Sequence, residues 1–352
     1  MDDLRFDCIE DALELLAPGM PLREGIDDVI AAHGGAIVVI GDEEKVAPVC
    51  GGGFGIGIDF TPQRLFELSK MDGAIVLDGL CSRILRANVH LVPDASIPTS
   101  ETGMRHRAAE RVSKQTGALV VSISRRRAIV SVYVCGTKAT LDTIEVALAK
   151  ADQALQTLLR YRARLDEVGA RLLALEFEDL VSFGDVASVI RRFEMTVRVS
   201  AEVRRHIVRL GREGRLIRLQ ADELSQGVAD EYVNLLRDYA YDPAADIAEV
   251  RAAVAALDGE ALLDPDAIAA ALGYPSAAKA TEEHLHSRGY RLLRRIPMLP
   301  AAVMTRLAER FGGVPGLMGA TEDQLDDVDG VGMRRARSIA EGLRRLRRNA
   351  LQ

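Results

Sequence analysis

Three basic side chains stand side by side at the predicted start of a helix. They are Arg105, His106 and Arg107, and Met104 separates them from Gly103. Positive charge at a helix N-terminus opposes the helix dipole, so these residue types are poor local choices there. A bound anion removes the conflict, because free backbone N–H groups and cationic side chains then face the same negative charge. The segment therefore indicates a phosphate site, and a helix stabilised by a Glu110–Arg107 ion pair is the alternative.

Two further segments carry groups that suit a polyphosphate. Asp72 and Gly73 precede a predicted strand, where a carboxylate can hold a divalent cation; an ordinary Asp–Gly turn is the alternative. Ser124 is followed by three arginines, 125–127, between two apolar runs. These arginines either clamp phosphate across a subunit boundary or form a solvated turn. The glycine-rich run 51–57 has neither the Lys-Ser/Thr of a P-loop nor a dinucleotide fingerprint, and it is interpreted as a flexible hairpin.

A different chemistry is indicated near the C-terminus. Residues 325–339 fit the pattern L-x-x-V-x-G-V-G-x-x-x-A-x-x-I, which is typical of helix-hairpin-helix modules. The glycines permit a tight turn, and the free N–H groups of the following helix can bind a DNA phosphate. The predicted DNA contacts are Gly330, Val331, Gly332, Arg334, Arg335 and Arg337. Such contacts carry no base information, so binding should depend on DNA shape; a plain αα-hairpin is the alternative.

The charge distribution also points to a polyanion at this end. Thirteen arginines and seven acidic residues follow position 284, although the whole chain has a net charge of −7. An acidic body with a basic tail favours a polyanion partner at the tail, and a solvated arginine-rich helix face is the alternative. The segment 293–303 resembles a degenerate first copy of the hairpin, with Met298 and Pro300 in place of the glycines. That copy either contacts phosphate or has a structural role.

The elements that must position the phosphate-binding residues lie in residues 1–140. Helices are predicted near 6–17, 22–33, 62–70 and 104–115. Four apolar runs alternate with them: Ala36–Ile40, Ala74–Leu77, Ala118–Ile123 and Ala128–Val134. Continuous Val/Ile runs of this kind are typical of strands that are covered on both faces. We expect an α/β domain with a mixed sheet flanked by helices.

An all-α middle domain is expected at 141–284, and a helix-hairpin-helix domain at 285–352. Apolar residues recur every three, four or seven positions from Leu141 to Leu175, which predicts one long helix. Further helices are predicted near 184–193, 198–211, 222–238 and 244–256. The middle domain is a spine, a spacer or an oligomerisation surface.

Composition excludes several classes of protein. The cysteines, Cys8, Cys50, Cys81 and Cys135, form no C-x-x-C pair, so neither a zinc site nor a redox motif is indicated. The acidic N-terminus has no signal-peptide pattern, and no run of about 18 apolar residues could span a membrane. We expect a cytoplasmic protein with no membrane segment.

The run Met71-Asp-Gly-Ala and the segment 87–111 resemble the paired DGA and RHR motifs of diadenylate cyclase domains. With the helical middle and the terminal hairpin, the resemblance extends over essentially the whole chain and is to the DisA family of DNA integrity scanning proteins. It implies face-to-face cyclase domains that each hold one ATP. Each 3′-hydroxyl attacks the other α-phosphate, giving cyclic di-AMP and two pyrophosphates with Mg²⁺ or Mn²⁺. It further implies a homo-octamer whose cyclase is suppressed by branched or damaged DNA.

The resemblance also implies roles for single residues. Asp72 would bind the metal and polarise the attacking hydroxyl, while Arg105, His106 and Arg107, also assigned as catalytic, would hold the triphosphate. The implied ATP-binding residues are Gly73, Ala74, Leu91, Gly103, Met104, Arg105, His106, Arg107, Ala108 and Ser124.

Two positions depart from the family pattern. Met104 and Ala108 stand where the family usually has threonines, and each lost hydroxyl removes a hydrogen bond of about 0.5–1.5 kcal/mol. The alternative to a DNA-regulated cyclase is therefore a DNA-junction sensor that binds nucleotide without efficient turnover. A repair nuclease or ligase fragment would need a carboxylate cluster or a nucleophilic lysine motif, and the sequence shows neither.

Overall fold

The structure is a computed structural model that describes residues 9–125, 129–276 and 285–351. The chain divides into two compact units. The N-terminal unit comprises Met1–Gln153 and Arg204–Leu219, and the C-terminal unit comprises Ala154–Val203 and Gln220–Gln352. The three breaks of this division fall within three helices, Ile144–Glu178, Phe183–Leu210 and Arg215–Ser225. The three predicted domains with boundaries at 140 and 284 stay a prediction.

A mixed sheet of eight strands forms the centre of the N-terminal unit. The strands are β1 Ile37–Ile40, β2 Cys50–Gly51, β3 Phe54–Asp59, β4 Ala74–Leu77, β5 Arg83–Leu91, β6 Leu119–Ser124, β7 Ile129–Val134 and β8 Thr137–Leu141. Their order is β2-β5-β4-β1-β6-β7-β8, and β3 also pairs with β5. Strands β1 and β4 are parallel, whereas the other described pairs are antiparallel.

Helices cover both faces of this sheet. They are α1 Ile9–Leu15, α2 Pro21–Ala31, α3 Glu43–Val46, α4 Pro62–Ser69 and α5 Met104–Thr116. Alternate residues of β1 go to opposite faces: Val38 joins a cluster with Ile26 of α2, and Val39 joins one with Val112 of α5. Each apolar face is thereby removed from water, which is the main favourable contribution to folding. The predicted mixed sheet flanked by helices is confirmed.

The glycine run was interpreted wrongly. Gly51 ends β2 and residues 54–57 lie in β3, with Gly52 and Gly53 between them, and each of these strands pairs with β5 in the described sheet and not with the other. Gly53, between them, has a positive φ of 76°, and a Cβ there would lie 2.7 Å from the carbonyl oxygen of Ala87. The run is therefore an ordered part of the sheet, in which glycine allows the backbone to approach β5 closely.

Helices make up the middle of the chain. They are α6 Ile144–Glu178, α7 Phe183–Leu210, α8 Arg215–Ser225, α9 Val228–Tyr239, α10 Ile247–Ala256 and α11 Pro265–Ala271. The single long helix predicted from Leu141 corresponds to α6. The two helices predicted between 184 and 211 are one continuous helix, α7, and the one predicted near 222–238 is two. Gly227, with a φ of 74°, separates α8 from α9 because it adopts the left-handed conformation.

The last described segment holds two pairs of helices, each joined by a six-residue turn, 295–300 and 327–332. Its helices are α12 Tyr290–Arg294, α13 Ala301–Phe311, α14 Val314–Gly319, α15 Glu322–Asp326 and α16 Met333–Ala350. The turn from α12 to α13 matches the turn from α15 to α16, because Met298 and Gly330 occupy equivalent places and both have positive φ, 60° and 82°. The degenerate first copy thus keeps the backbone course of the second.

A buried polar cluster fixes the start of α12 within the C-terminal unit. Arg291 Nη2 donates to Glu176 Oε2 at 2.8 Å, and Tyr239 OH donates to Glu176 Oε1 at 2.7 Å. Asp238 accepts from the backbone N–H groups of Tyr290 and Arg291 at 2.6 and 3.1 Å. Burial, with the nearby Glu176 carboxylate, raises the pKa of Asp238 to about 7. The cluster therefore depends on the Arg291 guanidinium, which balances the carboxyl groups of Glu176 and Asp238.

Replacing Arg291 with alanine should be strongly destabilising. Removing one partner of a buried ion pair typically costs about 3–5 kcal/mol, because the other charge is left uncompensated. Arg294 on the same helix is a matched control, since its pair with Asp230 at 3.6 Å lies on the surface. Arg294→Ala should cost less than about 1 kcal/mol. Calorimetric unfolding midpoints should thus fall clearly for Arg291→Ala only, and equal midpoints would contradict this account.

Candidate functional site

The predicted phosphate-binding residues meet at one edge of the sheet. Strand β1 pairs Ile37 with Ala74 of β4 on one side and with Ser122 of β6 on the other. The start of β4 and the end of β6 therefore lie at the same edge, which places Asp72 and Ser124 there. Helix α5 follows Gly103, its N-cap residue, whose backbone is extended.

An ion pair joins the two sequence motifs. Arg105 Nη2 donates to Asp72 Oδ1 at 2.7 Å, across a separation of 33 residues in the chain. The Asp72 side chain is 93% exposed and that of Arg105 is 52% exposed. Surface pairs of this kind contribute about 0–1 kcal/mol, so either charge can be taken over by a ligand at little cost.

A cleft of about 640 Å³ opens beside this ion pair. Its volume is in the range of small-molecule sites. Predicted residues that line the cleft are Gly103, Met104, Arg105, His106 and Ser124. The other lining residues are Glu101, Thr102, Ser122, Ile123, Arg125, Ile129, Ser131, Lys138 and Thr140. The cleft thus combines basic side chains with several hydroxyl groups, a composition that suits phosphate.

Two predicted residues of the DGA motif have structural roles. The Ala74 side chain is buried in the core, so only its backbone is available to a ligand. A Cβ at Gly73 would lie 2.7 Å from the Cα of Asn88, whose own φ is 54°. Strand β5 shifts its register against β4 here, as at a bulge, and approaches the chain closely. Packing against Asn88 is therefore enough to require a glycine at position 73.

Other predicted ATP contacts lie outside the residues that line the cleft. Arg107 is exposed on the first turn of α5, Ala108 is half-buried there, and Leu91 ends β5 and packs partly against the core. Arg126 and Arg127 lie outside the described residues. The structure thus brings Arg105, His106 and Ser124 together at the cleft, and Asp72, which is not a lining residue, is linked to them through its ion pair with Arg105.

A hydrogen-bonded chain behind His106 was missed by sequence reasoning. His106 Nδ1 lies 3.0 Å from Tyr133 OH, and Tyr133 OH lies 3.0 Å from Glu101 Oε1. Lys138 Nζ lies 2.5 Å from the same Glu101 oxygen. Burial raises the pKa of Tyr133 above its ordinary value, and its bond to Glu101 adds to this. A tyrosine inside a β-branched strand was the one available signal, because a buried hydroxyl needs a partner.

A divalent cation fits the donor set as a shared ligand. The described residues contain no cluster of three or more His, Cys, Asp or Glu side chains that could hold a metal. Asp72 offers one exposed carboxylate, with Oδ1 paired to Arg105. Mg²⁺ commonly binds through one or two carboxylates together with substrate phosphates. Asp72 is therefore suited to a metal that arrives with a nucleotide.

The two glycines of the second hairpin are there for different reasons. Gly330 has a φ of 82°, and a Cβ there would lie 3.2 Å from Val303 Cγ2, so the fold itself requires glycine. Gly332 has ordinary extended backbone, with φ −99°, and its added Cβ would meet nothing within 4 Å among the described residues. Gly332 is also the N-cap of α16. Open space at a helix N-terminus is where a phosphate could approach.

The remaining predicted DNA contacts differ in availability. Val331 is buried and its N–H donates to the carbonyl oxygen of Val328, which leaves only its own carbonyl. Arg334 is exposed, Arg335 donates to the carbonyl of Gly330, and Arg337 lies 3.5 Å from Glu322. The first hairpin offers fewer backbone N–H groups to a phosphate, because Pro300 has no N–H to donate. The second hairpin therefore has more backbone N–H groups open to a ligand than the first.

Substitution of Gly332 by valine tests the hairpin. The open space around position 332 predicts a normally folded protein with weaker DNA binding, because the side chain blocks close approach of a phosphate. Gly319→Val is the matched control, since Gly319 also has nothing within 4 Å of an added Cβ but ends a different helix. Fluorescence anisotropy with a labelled four-way junction measures both. Equal affinities for the two variants would remove Gly332 from the interface.

Two family models match the chain. Residues 23–138 match one described as DisA bacterial checkpoint controller nucleotide-binding, and residues 141–281 match one described as DisA bacterial checkpoint controller linker region. The first match contains the whole ion pair between Asp72 and Arg105. No helix among the described residues is long and apolar enough to cross a membrane.

Three relatives are similar over nearly their whole length. The DNA integrity scanning protein DisA of Symbiobacterium thermophilum is 50% identical over 336 residues, covering 95% of each chain. That of Carboxydothermus hydrogenoformans is 47% identical over 337 residues, covering 96% of each. That of Streptomyces griseus is 45% identical over 344 residues, covering 97% of this chain and 92% of the relative. The similarity therefore extends beyond the two matched models into the terminal hairpins.

Proposed function

The chain belongs to the DisA family and is a diadenylate cyclase, and we propose that it joins two ATP molecules into cyclic di-AMP at the cleft beside Asp72 and Arg105. The observation that carries this proposal is the ion pair between them, because it sets a carboxylate and a guanidinium at the mouth of one nucleotide-sized cleft. ATP as substrate agrees with a cytoplasmic site of action.

Nucleotide binding would exchange the partners of this ion pair. The triphosphate offers Arg105 stronger, multiple acceptors, and Mg²⁺ or Mn²⁺ bound with the phosphates would shield charge at the α-phosphate and on the pyrophosphate. Asp72 would thereby be freed to face the metal and the 3′-hydroxyl of the second nucleotide. The contact of Arg105 with phosphate and that of Asp72 with the metal would both favour the nucleotide-bound state. Breaking the exposed ion pair between Asp72 and Arg105 costs little.

The remaining residues hold the reacting groups in line. Arg105 and His106 line the cleft and would hold the triphosphate, with Arg107 close by on the same helix turn. The 3′-oxygen of one ATP bonds to the α-phosphorus of the other, the bond to the pyrophosphate oxygen breaks, and the hydroxyl proton leaves toward Asp72 and solvent. A second attack in the opposite direction closes the ring. Positioning and charge stabilisation are the main contributions in phosphoryl-type transfer.

One cleft holds one nucleotide, so the reaction needs a second copy. We propose that cyclase domains meet face to face across this sheet edge in a homo-octamer. The high exposure of Asp72 supports this, because a carboxylate that acts on the partner's nucleotide must be reachable from outside its own domain.

A nucleotide-binding junction sensor with poor turnover is the second candidate. Met104 favours it, because this residue lines the cleft, is 86% exposed and lacks the hydroxyl usual in the family. Ala108 adds less, since it does not line the cleft among the described residues. Only one of the two hydroxyl losses thus bears directly on phosphate, which favours the active cyclase.

Asp72→Asn should abolish cyclic di-AMP formation while ATP binding changes by less than about threefold, because the amide keeps its size but loses the charge that attracts a metal. Chromatography of reactions with Mg²⁺ or Mn²⁺ measures the product, and calorimetry with an unreactive ATP analogue measures binding. Glu67→Gln is the control, since Glu67 forms an exposed ion pair with Lys70 on α4. Turnover by Asp72→Asn equal to that of the control would refute the assignment.

We also propose that branched or damaged DNA, bound at the second hairpin without sequence preference, suppresses the cyclase. A four-way junction should slow product formation by the unsubstituted protein more than duplex of equal length does. Gly332→Val should respond to the junction several-fold less, with its DNA-free turnover unchanged. Equal inhibition of both proteins by the junction would show that the second hairpin does not mediate the regulation. Turnover of the unsubstituted protein that does not change with the junction would refute the proposal that DNA regulates the cyclase.

A further inference from the structure

We infer that Tyr133 and Glu101 are positioning residues that hold the His106 ring for the triphosphate. The inference rests on the proposed cyclase function and adds two residues to it. Neither belongs to the DGA or RHR motif. His106 lies in the first turn of helix α5, Tyr133 lies on β7, and Glu101 precedes the helix. Three separate parts of the N-terminal unit thus meet behind one ring.

The hydrogen-bond donors along this chain can be assigned. An ionised Glu101 only accepts, so Tyr133 OH donates to it over 3.0 Å. The Tyr133 oxygen then has only lone pairs left for His106, so Nδ1 of the ring must carry the proton. Nε2 is consequently the nitrogen left to meet the cleft. A ring without this bond could turn and present either nitrogen.

Glu101 is kept ionised by its neighbours. Burial alone would raise its pKa, but the bonds from Lys138 and Tyr133 outweigh this effect, and the pKa lies below its ordinary value. An ionised carboxylate can accept only, which keeps the Tyr133 hydroxyl pointed at Glu101 and its lone pairs toward the imidazole. The chain therefore fixes the orientation of the His106 ring.

Rigid surroundings make this support effective. Tyr133 is only 1% exposed and occupies β7, which is paired on both sides, by β6 and β8, and it belongs to one buried cluster with Val39, Ala109 and Val112. A side chain that is held by a strand transmits little motion to its partner. His106, by contrast, is half-buried on the first turn of a helix that borders an open cleft. The fixed hydroxyl thus compensates for the mobility expected of a residue at that position.

A double-mutant cycle separates this role from a general structural one. The four proteins are the unsubstituted chain, Tyr133→Phe, His106→Ala and the double variant, and the readouts are affinity for an unreactive ATP analogue and the rate of cyclic di-AMP formation. Loss of the hydroxyl should weaken the affinity about tenfold, as for a hydrogen bond to a charged group. In the His106→Ala background the same change should have less than a twofold effect.

Glu101→Gln gives a second, milder test, because it keeps the acceptor oxygen and the shape but removes the charge. It should weaken binding about threefold, and again only when His106 is present. This variant also keeps the inference testable should Tyr133→Phe unfold. Tyr241→Phe, at an exposed tyrosine of the C-terminal unit, is the control and should leave every readout unchanged.

The outcomes test the positioning role of Tyr133 and Glu101 separately from the cyclase proposal. Additive losses, the same in both His106 backgrounds, would overturn the positioning role, since they would show that Tyr133 and Glu101 act through the fold alone. An unsubstituted protein that binds the analogue but forms no product would overturn the cyclase proposal, while the affinity cycle would still report on His106. Coupled losses in affinity and rate would support both.

Discussion

The ion pair between Asp72 and Arg105 is the interaction on which the site depends. It brings a carboxylate from the start of β4 to a guanidinium from the start of α5, at an edge that also receives the end of β6. The pairing balances the two charges, and its exposure keeps it weak. In the proposed reaction, a nucleotide with its cation would supply the opposite charge to each partner. The ion pair is therefore one that such a ligand could replace at little cost.

Much of the site could be predicted from the sequence because its residues follow local rules. Arginines at a helix start conflict with local preference, and such conflicts often mark function. The Tyr133–Glu101 bond could not be predicted, because it depends on how β7 is placed relative to the loop before α5. Strand β5 was missed for a related reason: its Arg83, Arg86 and His90 interrupt the apolar pattern, although β5 pairs with three other strands.

The hairpins show how one backbone course can be kept with different chemistry. Met298 adopts the left-handed conformation that Gly330 adopts, although a side chain is strained there. The buried cluster of Glu176, Asp238 and Arg291 fixes the start of the first arrangement. The first copy is therefore held by its surroundings, while the second keeps an open N-terminus that can bind phosphate. The sequence alone left both roles open for the first copy.

The openness of the cleft has a consequence for the order of events. Two phosphoester bonds must form, and the first leaves a linear dinucleotide that still carries one triphosphate. Arg105 and His106 of one domain would hold the triphosphate end of that species, whereas the Asp72 carboxylate is almost fully accessible and offers the other end little enclosure. Retention of the other end would fall to the opposing copy, so dilution below the assembly threshold should release the half-joined molecule instead of the ring. The ratio of linear to cyclic product would then report how long two copies stay together.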